Sequence, residues 1–483
     1  AFMVFNEIAD EIVKKDAPPM SCCIYKDRAI VAERIRIALG GKKEDHNVIQ
    51  VIDIACDECP VAGHVVTDLC RGCVAHACVD ACKLGAITVD SHQKAEIDKS
   101  KCVECGKCAK SCPYSAIANF KRPCEKACKV DAISMAPDGV AQIDSEKCIE
   151  CGACVYKCPF GATLDVSSIT DIIKTIVDSD DNKNYHVHAI VAPAIAGQFQ
   201  YAKAGQLISA IRELGFYAVE EVALGADIVA YKEAQELQEK GFLTSSCCPA
   251  FVKYIKMKFP QLAEHISHNL SPMAETGKLI KEQDPDAKIV FIGPCTAKKG
   301  EVRKPEVHQY VDYVMTFEEL QAMIDSKDIA VDQLPETELD TATYYGRVFA
   351  RTGGLSEAVT EAVREQKAAA EAAKVDAPDG AGASGAVASG EAGASGKPAN
   401  GDGDSADSKP FVFDPIVCDG IDSCKTALLR ASKGLLPNNF IEGMVCTDGC
   451  IGGAACLSHG NADKRAIDNY GKKASHKEIR DVL

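Results

Sequence analysis

Apolar positions in the second half of the 483-residue chain fall into short runs bounded by turn residues. VHAIVA (187–192), GFYAVEEV (215–222), AKIVFIG (287–293), YVDYVMT (310–316) and FDPIVCDG (413–420) are too short for helices and read as buried strands. Between the first two, YAKAGQLISAIREL (201–214) puts Leu207, Ile208, Ile211 and Leu214 on one face at helical spacing. Strands alternating with helices predict an α/β region with parallel sheet covered on both faces. The rhythm stops at KAAAEAAKVDAPDGAGASGAVASGEAGASGKPANGDGDSADSK (367–409), nearly all Ala, Gly, Ser, Asp and Glu. That stretch cannot bury a core, so 367–410 is expected to be a disordered insertion within one domain, whose pattern resumes at 411–483.

Upstream of residue 166 the rhythm is set by cysteines. ACVDACKLGAITVDSHQKAEIDKSKCVECGKCAKSCPYSAI (77–117) returns as PCEKACKVDAISMAPDGVAQIDSEKCIECGACVYKCPFGA (123–162), each cysteine shifted by 46 residues. Cys78 returns as Cys124, Cys82 as Cys128, Cys102 as Cys148, and Cys105, Cys108 and Cys112 as Cys151, Cys154 and Cys158. Within each copy the spacing C-x2-C-x2-C-x3-C-P is the bacterial ferredoxin run, in which three thiolates grip one cubane and the fourth cysteine reaches a neighbouring cluster. A zinc site is the competing reading, but tetrahedral zinc takes two separated pairs. The crossover rule groups Cys70, Cys73 and Cys78 with Cys112, then Cys102, Cys105 and Cys108 with Cys82, and Cys148, Cys151 and Cys154 with Cys128. Cys124 and Cys158 then lack partners, and the unclaimed CDEC pair, Cys56 and Cys59, completes a fourth group. Three to four [4Fe–4S] clusters are thus expected in a ferredoxin-like domain at 51–165. A mostly helical region at 1–50 precedes it, and 166–366 is the first part of the α/β domain.

Composition narrows the chemistry. A net charge of −16 argues against nucleic acid, and no run approaches the ~18 apolar residues of a membrane span. The basic stretch KDRAIVAERIRIALGGKK (26–43) admits two readings, a docking face for an acidic partner or a solvated amphipathic helix. AFMVFNEIADEIVKK has no basic segment followed by an apolar core, so no signal peptide and a cytoplasmic location are expected. In a reducing compartment, 26 cysteines mean metal, redox chemistry or both.

The other cysteines fall in loops beyond predicted strand ends, where such sheets place their chemistry. They stand in SSCCPAF (245–251), FIGPCTAKKGE (291–301) and EGMVCTDGCIGGAACL (442–457). Cys248, Cys295, Cys446 and Cys450 suffice for one more cubane, which leaves Cys247 over. These three loops, in this order behind a ferredoxin-like segment, resemble the signatures of the [FeFe]-hydrogenases: T-S-C-C-P-G-W, M-P-C-x-x-K-x-x-E and E-x-M-A-C-x-x-G-C-x-x-G-G. The resemblance covers roughly residues 51–483. It implies an α+β ferredoxin-like iron–sulfur region followed by an α/β H-cluster domain with parallel sheets in two lobes.

The same resemblance implies the H-cluster, a cubane joined through one cysteine to a two-iron subcluster carrying CO, cyanide and an azadithiolate bridge. Cys248, Cys295, Cys446 and Cys450 would hold the cubane, with Cys450 bridging. Cys247 resembles the family's proton-relay thiol, against rival readings as a buried small hydrophobe or half of a vicinal disulfide. Lys298 resembles the lysine that hydrogen-bonds a cyanide, the rival being a surface lysine. Met444, Pro193 and Ala194 match residues lining the two-iron pocket. Glu233, Glu236 and Ser267 match a relay running Cys247, Glu233, Ser267, Glu236, solvent; the rival is a pair of exposed glutamates on an ordinary helix. Gly293, Ala250-Phe251 and GGAAC depart from the family pattern as in a divergent branch (the type often called group B). Cys22, Cys23, Cys418, Cys424 and Cys456 match nothing.

The expected activity is 2H⁺ + 2e⁻ ⇌ H2, with electrons exchanged with a ferredoxin-like partner and the cofactor supplied by maturation enzymes. The alternatives are a hydrogen sensor, an iron–sulfur assembly factor without the two-iron site, and a polyferredoxin carrier.

Overall fold

A computed structural model describes residues 2–16, 18–41, 46–56, 59, 63–375 and 411–483. Two helices, Phe2–Ile12 and Ile24–Ala38, pack on each other at the N-terminus. The basic stretch is the second of them. Arg28 pairs with Asp10 at 2.8 Å, Arg36 with Glu33 at 2.7 Å, and Arg34 donates to the Phe160 carbonyl at 2.9 Å. These three cations are thus occupied within the chain.

The cysteine repeat is also a repeat of backbone. Hairpin Ile87–Val89/Ala95–Ile97 recurs as Ile133–Met135/Ala141–Ile143, and helix Lys107–Ser111 as Ala153–Lys157. Left-handed residues recur at the same offset: Glu104 as Glu150, Gly106 as Gly152, and Gly85 as Asp131. The positive φ values at Glu104 and Gly106, and at Glu150 and Gly152, fold each three-cysteine loop back on itself, which is how three thiols so close in sequence come to face one centre. Strand Gly63–Val66 pairs antiparallel with Ile117–Phe120, and Ile49–Val51 with Thr163–Asp165.

Beyond residue 166 lie two parallel sheets. The larger has the order Ala218–Glu221, Val187–Val191, Lys288–Gly293, Tyr313–Thr316. The smaller has the order Leu243–Thr244, Phe440–Met444, Pro415–Asp419. Each expected strand forms, and the helix Ala204–Glu213 buries Leu207, Ile208 and Ile211 as its spacing predicts. The strand Phe440–Met444 was not foreseen. FIEGM carries a glutamate and a glycine in the middle, although all five residues are buried.

Helix Gly354–Val375 runs nine residues into the stretch read as an insertion, whose first residues, KAAAEAAKV, are good helix formers. The remainder, 376–410, lies outside the described residues. Among the described residues no helix is long and apolar enough to cross a membrane.

The C-terminal helix Asn461–Lys472 is tied to the larger sheet through a buried ion pair. Arg347 lies across Glu221, Nε to Oε2 and Nη2 to Oε1 both at 2.8 Å, and the Tyr470 hydroxyl donates to Oε2 at 2.7 Å. Both charges are almost wholly buried, and the guanidinium stacks 4.5 Å above the Tyr470 ring. Breaking one side of such a pair strands the other charge, so Arg347→Met should cost roughly 3–5 kcal/mol. We expect a lower anaerobic denaturant midpoint in that variant than in the wild type.

Candidate functional site

The loops beyond the carboxyl ends of strands from both sheets meet between them. Cys247 and Cys248 follow Leu243–Thr244, with Cys248 at the N-cap of helix Pro249–Lys258. Cys295 lies two residues past Lys288–Gly293, Cys446 two past Phe440–Met444, and Cys450 opens a 3-10 turn. Cys450 is reached through Gly449, whose φ of +79° and contact with Thr352 N, 2.7 Å from where a Cβ would stand, leave no room for a side chain.

The four thiols Cys248, Cys295, Cys446 and Cys450 are half-buried and face one another in one centre. Burial pushes each one's pKa upward, Cys295 to about 11, and neighbouring thiols add to the rise at Cys295, Cys446 and Cys450. The nearest opposing charge is Lys298. Burial works against its charge, but the Glu301 carboxylate at 2.6 Å outweighs that and raises its pKa. Its Nζ also donates to the Cys247 carbonyl at 3.4 Å. Lys298 is therefore buried, not a surface lysine. Four soft donors with one shared cation are a poor arrangement for free thiolates. They fit an iron–sulfur cubane, which takes up four thiolate charges.

The repeat cysteines gather as the crossover rule groups them. Cys70, Cys73, Cys78 and Cys112 line one small cavity; Cys82, Cys102, Cys105 and Cys108 line another of about 260 Å³. Cys128 and Cys148 lie close enough to Cys151 and Cys154 to raise their pKa values, after burial, the main cause. Cys56, Cys59 and Cys158 act likewise on Cys124, which burial chiefly pushes up to about 11. In all four groups the crossover cysteine accepts a backbone N–H: Ala86 N donates to Cys82 at 3.3 Å, Ala116 N to Cys112 at 3.4 Å, Ala132 N to Cys128 and Ala162 N to Cys158 both at 3.2 Å.

The third group abuts the C-terminal centre, since Cys151 acts on Cys446 and Cys248 on Cys151. The junction is tight. Thr296 Oγ1 donates to the Glu150 carbonyl at 2.7 Å, and Lys253 meets the Glu150 carboxylate at 3.1 Å. A Cβ at Gly152 would stand 2.6 Å from both Ala454 and Thr296.

Cys247 is buried beside the four thiols. Burial, then the Glu233 carboxylate, keep it a protonated thiol well above its ordinary pKa. Met444 packs in the same apolar cluster, and Ala194 in another that Cys450 touches. Pro193 precedes Ala194 in the loop after Val187–Val191. Glu233 is on helix Val222–Lys240, in register with the buried stripe Ala226, Ala230, Ala234 and Leu237. Burial raises its pKa to about 8, against hydrogen bonding by Ser267 and Ser246. Ser267 Oγ donates to Glu236 Oε2 at 3.2 Å, and Glu236 meets Lys240 and His268, both at 2.7 Å. Burial opposes the Glu236 charge, but these partners outweigh it and lower the pKa. The His268 side chain is 71% exposed. Cys247, Glu233, Ser267 and Glu236 therefore form a file from the interior to the surface.

Sequence reasoning missed several neighbours. Asn269 Nδ2 donates to Glu236 Oε2 at 2.9 Å and to Ser267 Oγ at 3.1 Å; HISHNLSP held both it and His268 in plain view. Arg122 is buried against the fourth group, donating to Cys56 Sγ at 3.7 Å and to the Cys59 carbonyl at 3.3 Å. It stands one residue before the proline that opens the second copy, a position with no metal-ligand signal. Of the unassigned cysteines, Cys418 and Cys424 are buried free thiols hydrogen-bonded to each other, Cys456 donates to the Ile451 carbonyl at 3.2 Å, and Cys22 and Cys23 lie 3.8 Å apart.

This is an iron–sulfur protein. The C-terminal domain of the large chain of iron-only hydrogenases is the family model that matches residues 185–454, more than half of the sequence, and that of a 4Fe-4S dicluster domain matches 69–116 and 122–162. The chain belongs to the iron-only hydrogenase family. It is 30% identical over 319 residues to iron hydrogenase 1 of Clostridium pasteurianum, covering 60% of this chain and 54% of that one. It is 29% identical over 273 residues to the periplasmic [Fe] hydrogenase large subunit of Nitratidesulfovibrio vulgaris, covering 52% and 61%. A shorter match, 37% over 95 residues and 20% of each chain, is to the cytosolic Fe-S cluster assembly factor NAR1 of Kluyveromyces lactis. The chain spans about half the length of the curated hydrogenases it matches.

The elevated Glu233 pKa has a stability consequence. Between the ordinary glutamate value of 4.5 and about 8, the folded chain keeps a proton that the unfolded chain releases. Stability therefore falls as pH rises across that window, by at most about 1.4 kcal/mol per pH unit. Glu233→Gln should melt above the wild type at pH 8, and the gap should close as the pH is lowered to 4.5. Parallel melting curves across this range would contradict the buried, protonated carboxyl.

Proposed function

We propose that the chain is a hydrogenase interconverting protons and electrons with H2, and that Cys248, Cys295, Cys446 and Cys450 hold the cubane of an H-cluster. When bound, the two-iron subcluster would supply the redox-active metal at which H2 forms or splits. The observation that carries the reading is the file of acidic groups ending beside the four thiols. An electron carrier has no need of it.

The chain's own residues would move the proton. Cys247, a neutral thiol at physiological pH, donates toward the buried centre and is reprotonated from Glu233. Glu233, holding its proton up to about pH 8, is itself a donor near neutrality. Ser267 passes the proton between the carboxyls by accepting from one side and donating to the other. Glu236, charged and tethered by Lys240, His268 and Asn269, collects protons from solvent. Lys298 would offer its ammonium to an anionic ligand of the subcluster, held inward by Glu301. Met444, Pro193 and Ala194 would keep water from it.

Electrons would travel through four [4Fe–4S] clusters held by the repeat cysteines. The group of Cys128, Cys148, Cys151 and Cys154 would be the last before the centre, given its contact with Cys446 and Cys248. A ferredoxin-like protein would serve as partner, maturation enzymes would deliver the subcluster, and a cytoplasmic site would suit both. We read the two parallel sheets as two lobes enclosing the centre, with 51–165 a domain feeding it. The match to assembly factor NAR1 favours a second reading, a cubane-bearing assembly factor without the subcluster.

Infrared spectra of protein matured anaerobically separate the two. Metal-bound CO and CN⁻ bands are expected, and their absence from iron-replete protein would select the assembly factor. Cys247→Ala should keep those bands but lose roughly 10²–10⁴-fold of viologen-linked H2 evolution, the usual worth of a positioned acid. Unimpaired turnover in the variant would remove Cys247 from the path.

A further inference from the structure

At the opposite end of the larger sheet from Pro193 and Ala194, two histidines and two carboxylates converge outside every group described so far. His186 immediately precedes strand Val187–Val191 and His188 is its second residue, so both project from the same face. Glu220 comes from the neighbouring strand Ala218–Glu221, and Asp284 caps the end of helix Pro272–Gln283. One donor atom from each of His186, His188 and Asp284 lies within 4.8 Å of the others.

Their hydrogen bonding is that of a metal site. His188 is 7% exposed, and its Nδ1 meets Glu220 Oε1 at 2.8 Å. That carboxylate holds the proton on Nδ1 and leaves Nε2 with a free lone pair, the carboxylate–histidine arrangement found behind metal ligands. Nε2 is buried and has no hydrogen-bond partner among the described residues. An unpaired buried ring nitrogen is costly unless something satisfies it. His186 Nδ1 lies 2.7 Å from Asp284 Oδ2, sharing a proton whose place a cation can take. The Tyr217 ring stacks on His186 at 3.7 Å and fixes its plane. The nearby cations are engaged elsewhere: Lys281 and Lys288 reach Asp312 at 3.4 Å and 3.3 Å.

We propose that His186, His188 and Asp284 bind one divalent transition-metal ion of the zinc class, with Glu220 as the positioning residue for His188. Two imidazoles and a carboxylate suit Zn²⁺ and exclude the sulfur-seeking chemistry of the rest of the chain. The five steps from His188 to Pro193 cover roughly 17 Å of extended chain, so the ion would sit at the far end of the sheet from the loop that carries Pro193. It clamps the strand to the end of helix Pro272–Gln283, whose other end follows the Ser267–Asn269 loop.

The test uses iron–sulfur-loaded full-length protein, dialysed anaerobically to equilibrium against Zn²⁺. The wild type should bind one zinc more per chain than Asp284→Asn, with equal iron content showing that the fold is kept. Zinc-edge absorption of the bound ion should give a nitrogen/oxygen shell at about 2.0–2.1 Å. Glu220→Gln should weaken that zinc by roughly 10–100-fold while leaving viologen-linked turnover unchanged. Equal zinc in wild type and variants, or a sulfur shell near 2.3 Å, would overturn the assignment. If Asp284→Asn loses iron, the zinc affinity of Glu220→Gln alone decides: the expected weakening supports the site, and wild-type affinity overturns it.

Discussion

Everything in the C-terminal half is organised around the cost of burying sulfur that must carry negative charge. Cys248, Cys295, Cys446 and Cys450 come from three distant loops and meet in a half-buried centre where desolvation raises every thiol's pKa. As free thiolates they would repel one another in a medium that strengthens repulsion. One buried lysine cannot offset four such charges, so the set suits a cluster that takes them up better than it suits free thiolates. The two sheets are arranged to suit: each ligand loop leaves the carboxyl end of a parallel strand, so rigid elements set the convergence.

Lys298 and Glu233 are opposite solutions to the same burial. The lysine keeps its charge because Glu301 sits beside it. Glu233 is paired with no cation among the described residues and keeps its proton instead. Glu236, three residues along the same helix and bonded to Lys240, is charged. Two identical side chains one helical turn apart thus differ in protonation at neutral pH, the inner one neutral and the outer one charged.

The fold was legible where a residue type has one physical use. Cysteine spacing specified the repeat and its crossover grouping, because only a cubane needs three thiols in one short loop. Five strands announced themselves as apolar runs. Phe440–Met444 did not, since Glu442 and Gly443 break the apolar signal. Both are buried for tertiary reasons that no local pattern carries. Glu442 accepts from the Gly353 and Ser356 amides at 2.7 and 2.8 Å, fixing the start of helix Gly354–Val375. The His186–His188 pair was equally visible as HVH, but Asp284 and Glu220 join it only through the sheet's strand order.

One departure from the family loops, Phe251, packs against that same Gly443. The ring of Phe251 lies 2.2 Å from where a Cβ at Gly443 would stand, so the aromatic of the first loop and the glycine of the third are a matched pair. Gly293 is matched in the same way: a Cβ there would stand 2.6 Å from the Phe291 ring. In both places an aromatic from the adjoining segment takes space that a larger side chain in the ligand loop would need. Close-packed interiors accept added volume poorly, so a side chain at either glycine would need a smaller residue in place of its aromatic partner.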